Sequence, residues 1–191
     1  MKFRLLQLTT GVFALIGAVA VWTISTQVFP YHSLNHDEAV YLQQAAMLLE
    51  GQLNLWPPVE DVFRPWFFVK DGDRLYPKYT PVPAAMFALG RLVGNYRIAL
   101  AGIAAINLIL VVAVVCDVFD RQTGLLSGIF VLTSPLFLID SSVFLPYAPT
   151  TLLNLLFAYG YFRADRTGDR KWAAVAGTAI GLAFFAGPYT A

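Results

Sequence analysis

Between Arg97 and Asp117 the chain runs through AGIAAINLILVVAVV and its flanks without one charged side chain. A helix needs about 20 such residues to cross the hydrocarbon core of a bilayer. Apolar windows of similar character recur at about 9–29, 125–142, 146–163 and 172–188. Of the 191 residues 58% are hydrophobic and only 13% charged, above the roughly 45–50% apolar content of a soluble domain. The expected fold is all-α, a polytopic membrane protein with about five transmembrane helices. Residues 1–29 would form the first helix, 30–96 a long extracytoplasmic loop with interfacial helices, and 97–191 a four-helix transmembrane region cut short at its C-terminus. A cleaved signal peptide ending near Ala18-Val19-Ala20 is the alternative for the first segment. It leaves the following loop on the same outer side.

A formal net charge of +1, with no basic run longer than Arg170-Lys171, argues against a nucleic-acid partner. The single cysteine, Cys116, lies inside an apolar window, so neither a disulfide framework nor a cysteine metal cluster is expected. Pro81 to Gly94 is too short to span, and reading it as interfacial or re-entrant sets the sidedness of everything after it. With that choice Lys2, Arg4, Arg121, Arg163, Arg166, Arg170 and Lys171 share one side, seven of the thirteen basic residues. The other parity would leave only Lys2, Arg4, Arg91 and Arg97 there. Basic residues in short loops favour the cytoplasm, so the N-terminus is placed in the cytoplasm of a multi-pass protein of the cell membrane.

That topology puts His36-Asp37-Glu38, Asp140 and Gly187-Pro188-Tyr189-Thr190 on the outer face. The first loop holds Trp56, Phe63, Trp66, Phe67, Phe68, Tyr76 and Tyr79 beside Pro57-Pro58, Pro65 and Pro77, rings and fixed turns that suit a small cap on the membrane surface. Within it Asp37 to Gly51 reads as an amphipathic helix capped by Asn35, with Val40, Met47 and Leu48 on one side. Asp37 and Glu38 suit the first turn of any helix. They also suit general-base chemistry or a divalent cation. Lys78, across the same loop, is the matching point charge for a phosphate.

The stretch HDEAVYLQQAAMLLEG resembles the Asp-Glu motif in the first outer loop of GT-C type integral membrane glycosyltransferases, in particular the family 39-like group of protein O-mannosyltransferases and lipid A aminoarabinose transferases. YPKYTPVPAAMFALGRLVG is similar to that group's Lys-Tyr-Pro-Pro segment and short helix. TSPLFLIDSSVFLPYAPTTLLNLLFAYGYFRA resembles its Ser-Pro-Leu-Phe stretch and a helix closing on arginine, and GTAIGLAFFAGPYTA its Gly-Leu-Ala segment before Arg-Pro-Tyr-Thr. The likeness runs through nearly the whole chain in order, and the chain resembles the N-terminal portion of such an enzyme. It implies sugar transfer from a polyprenyl-phosphate carrier to a protein or lipid acceptor at the outer face, with membrane lipids as surroundings.

Carried over by position, the resemblance makes Asp37 the catalytic base or acceptor-orienting acid, Glu38 its neighbour in the site and Lys78 the contact for the leaving phosphate. His36, Tyr41, Asp140 and Tyr189 complete the candidate substrate contacts. A divalent cation held by Asp37, Glu38 and His36 is the one cofactor to consider. Gly187 stands where many relatives carry arginine, which removes one phosphate-binding charge. The alternatives are a non-catalytic membrane subunit whose loop binds a lipid or protein, and a transporter fragment. The absence of mid-span charge speaks against the transporter.

Overall fold

The computed structural model describes residues 2–33, 35–56, 65 and 67–187. The chain is mostly helical: α1 (Lys2–Gln27), α2 (Asp37–Leu49), α3 (Pro81–Leu92), α4 (Tyr96–Val118), α5 (Arg121–Leu132), α6 (Pro135–Ser141), α7 (Tyr147–Thr167) and α8 (Arg170–Ala186). Between α2 and α3 lies an antiparallel hairpin of β1 (Phe68–Asp71) and β2 (Arg74–Pro77), with Phe68 opposite Pro77 and Asp71 opposite Arg74. The two-residue connection is Gly72-Asp73, and Gly72 takes φ +59 at its first position, where such a turn requires a left-handed backbone.

Two helices, α1 and α4, are long and apolar enough to cross a membrane. The pair α5 and α6 passes the same test together but is bent by 65°. The window expected as one straight span at 125–142 is therefore broken, and the cause is local. Ser134 caps α6, its hydroxyl accepting the Phe137 N–H, and Pro135 occupies the first helical position, where its missing N–H costs nothing. The short α3 segment is a helix of 12 residues, about 18 Å long, tucked against α2 and α4. Gly90 permits the tight turn into α4, since a Cβ there would lie 2.7–2.8 Å from main-chain atoms of Asn95, Tyr96 and Ala99.

The main core joins α1, α2, α3, α4, α7 and the segment before α7. Phe87 sits fully buried at its centre, edge-on to Tyr41 at 6.4 Å and to Phe144 at 5.4 Å between ring centroids. Large apolar side chains on the outer faces of α1 and α5, among them Leu5, Leu8, Leu15 and Phe130, are exposed. Such a surface suits hydrocarbon and not water.

The two ends of the bundle differ. At one end Asp117 of α4 meets Arg163 and Arg166 of α7 at 3.2 and 3.5 Å, beside the first turns of α1. At the other end the Arg97 guanidinium donates to the main-chain oxygens of Ser25, Phe29 and Pro30, closing the C-terminus of α1. The orphan carbonyls of a helix end attract a cation there. Arg97 thereby fixes where the first loop leaves the bundle.

Candidate functional site

α2 begins at Asp37 because Asn35 Oδ1 accepts the Asp37 N–H at 3.0 Å, although the residue at the cap position itself is His36. It ends beyond Leu49, where the Gln52 N–H reaches back to the Met47 oxygen at 2.8 Å, a closure made at Gly51. Val40 and Met47 pack on Phe68 and Leu75 of the hairpin, while Tyr41 and Ala45 face the main core. The helix is thus wedged between hairpin and bundle. This wedging holds the acidic first turn in place.

Asp37 and Glu38 are adjacent in sequence but have different surroundings. Glu38 is 1% exposed. One of its carboxylate oxygens accepts the Ser33 N–H at 2.7 Å and the other the Phe144 N–H at 2.8 Å. It ties the loop after α1 to the segment that follows α6, with both oxygens spent on main-chain donors. Asp37 is half-buried, and its Oδ1 accepts the Tyr79 hydroxyl at 2.8 Å. Its Oδ2 takes no hydrogen bond from the described residues.

Tyr79 is fixed by two further contacts: its main-chain oxygen accepts from Gln44 Nε2 at 3.0 Å, and its ring stacks on Tyr41 at 5.0 Å. Burial, followed by the hydrogen bond to Asp37 and that carboxylate's charge, pushes the Tyr79 phenol up to about 12. It therefore remains a donor to Asp37 at physiological pH. Tyr41 is 4% exposed and its phenol is pushed above the ordinary tyrosine range, first by burial and then by Tyr79, Asp37 and Tyr147. It is a wall of the site and not an exposed contact.

Lys78 is exposed, and its Nζ lies 5.5 Å from the Phe67 ring centroid and 5.9 Å from that of Tyr79. Its main-chain N–H donates to the Phe67 oxygen at 2.9 Å. Phe67 itself has φ +56, an uncommon backbone for a bulky residue. Such conformations cost on the order of 1–3 kcal/mol and gather at ligand clamps. The aromatic faces hold the ammonium by cation–π attraction.

The structure brings Asp37, Tyr41, Lys78 and Tyr79 together. His36 is exposed at the start of α2. Asp140 stands apart, in a cleft between α4, α5, α6 and α7 that also contains Tyr147. Tyr189 lies outside the described residues, as do Phe63 and Trp66. Among the described residues no group of three or more histidine, cysteine, aspartate or glutamate side chains is placed to hold a metal ion. Tyr79 is not among the candidate site residues read from the sequence, its partner being 42 positions away. The one available signal was a tyrosine directly after a lysine singled out for phosphate.

Chemically, the arrangement offers a carboxylate with one oxygen oriented by a neutral phenol and the other available to a hydroxyl, with an ammonium nearby. No protein-family profile, characterised protein or solved structure matches this chain.

Proposed function

We propose that the chain carries the catalytic site of a multi-pass membrane glycosyltransferase that takes its sugar from a polyprenyl-phosphate carrier. The observation that carries this reading is Asp37 held by Tyr79 beside Lys78, on a cap fastened to the helix ends. In the reaction the acceptor hydroxyl oxygen attacks the anomeric carbon, its proton passes to Asp37, and the sugar–phosphate C–O bond breaks. The departing phosphate keeps the bonding electron pair, and Lys78 stabilises its charge. A base at the nucleophile and a cation at the leaving group lower the barrier together. Glu38, its oxygens occupied, acts as a positioning residue for Asp37.

In this reading α7 and α8 also cross the bilayer, giving five spans. The end carrying Arg121, Arg163, Arg166, Arg170 and Lys171 faces the cytoplasm with the N-terminus, and the Asp37 cap faces outward. The clustering of these basic residues with the start of α1 supports that orientation. Membranes containing the protein should transfer labelled sugar from a polyprenyl-phosphate donor, and Asp37→Asn should reduce that transfer by about 10²–10⁴-fold with insertion unchanged. Transfer at the wild-type rate would remove Asp37 from catalysis. No transfer by any form of the protein would favour a binding subunit instead.

A further inference from the structure

A second polar site lies away from Asp37, in a cleft of about 450 Å³ between α4, α5, α6 and α7. Its walls are mainly apolar, and two of them, Phe130 and Leu136, are 72% and 70% exposed at the outer face of the bundle. Its floor carries Asn107, which has no exposed surface. The Asn107 Nδ2 donates to the Ala148 oxygen at 3.2 Å, but its Oδ1 has no hydrogen-bond partner among the described residues. The Asp140 carboxylate lines the same cleft without an ion pair or hydrogen bond to a described residue. No lysine, arginine or histidine is among the described residues of the lining.

An unpaired carboxylate and an unpartnered amide oxygen both accept hydrogen bonds and cannot donate them while the acid is ionised. Burying such groups unmatched is costly. Small-molecule sites have this composition, apolar walls with few converging polar groups. We propose that the cleft binds a lipid whose head is a primary ammonium with no adjacent phosphate, its tail lying along Phe130, Leu136 and Leu155. The ammonium supplies the missing charge to Asp140, while the Asn107 oxygen lies beneath the cleft surface. A phosphate beside it would meet no cation in the cleft. This site does not depend on the transfer reaction.

The test uses the full chain in nanodiscs of phosphatidylcholine and phosphatidylglycerol, with hexadecylamine carrying a diazirine in its chain as the probe and the matching hexadecanol as its control. The amine should label peptides of α5 to α7 about tenfold or more above the alcohol, the ratio expected of a charge-assisted hydrogen bond. Asp140→Asn should bring amine labelling down to the alcohol level, and Asp140→Glu should retain the preference, both with unchanged helical circular dichroism. Equal labelling by amine and alcohol would overturn the proposal, as would an amine preference that survives Asp140→Asn.

Discussion

Asp117 and Asp37 lie at opposite ends of the bundle, and the protein satisfies them in opposite ways. Asp117 meets two guanidinium groups, from Arg163 at 3.2 Å and Arg166 at 3.5 Å, with Arg163 also 5.3 Å from the Tyr159 ring centroid. Its charge is balanced, and the contact is ionic, since neither Asp117 Oδ2 nor Arg163 Nε makes a proper hydrogen bond. Asp37 meets a neutral phenol, which orients the carboxylate and leaves its charge uncancelled. A neutralised carboxylate can only hold helices together. One that is oriented but not neutralised can accept a proton or organise a hydroxyl.

The sharpest way to break this comparison is to neutralise each acid in turn. Asp37→Asn should reduce sugar transfer by about 10²–10⁴-fold while the thermal midpoint of the purified protein barely changes. Glu38→Ala should act first on stability, with transfer falling as the turn that positions Asp37 loosens. It strands the buried N–H of Phe144 and the part-buried N–H of Ser33, and at about 1.5–3 kcal/mol for a hydrogen bond to a charged group the loss should reach about 3 kcal/mol, read from denaturant unfolding in micelles. A Glu38→Ala protein of normal stability would contradict the latch.

Smaller effects sharpen the same contrast. Tyr79→Phe removes one hydrogen bond, worth about 1–2 kcal/mol, and should lower transfer less than Asp37→Asn because the carboxylate remains. Asp117→Asn breaks a pair whose Arg163 side chain is 40% exposed, and a partly solvated pair of this kind contributes on the order of 1 kcal/mol or less. It should leave transfer unchanged.

Alkali offers a different probe. Tyr79 folded titrates near 12 instead of 10, so between those values the unfolded chain has lost a proton that the folded chain keeps. Folding then becomes less favourable as pH rises. Its contribution is fully present below about pH 10 and lost by about pH 12, and Tyr79→Phe should flatten that slope in pH-dependent unfolding.

Much of the fold was legible where the signal is local. The acidic turn and Gly51 marked both ends of α2, and the short run after Lys78 marked α3 as too short to span. The break at Ser134-Pro135 carried its own signal, a cap followed by a first-position proline, but the surrounding apolar residues concealed it within a longer window. The hairpin was likewise announced by Gly72-Asp73, yet its strands have only 4 residues each, too few for alternation to stand out.

The acids and the lysine of the candidate site could be named from residue type alone. Its geometry could not. Glu38 finds a main-chain N–H 106 positions away, and no residue type advertises a main-chain donor. The Tyr79–Asp37 bond depends on the hairpin returning the chain to α2, a long-range event outside any helical or strand period. Likewise nothing local to Arg97 tells that it closes α1 across about 70 residues, as its bonds to Ser25 and Phe29 do.

The most direct measurement is transfer of labelled sugar from a polyprenyl-phosphate donor by membranes carrying the protein with Asp37→Asn or Asp117→Asn, matched for expression. The account predicts loss of transfer in the first and wild-type transfer in the second. Equal activity in both, or loss confined to Asp117→Asn, would contradict it.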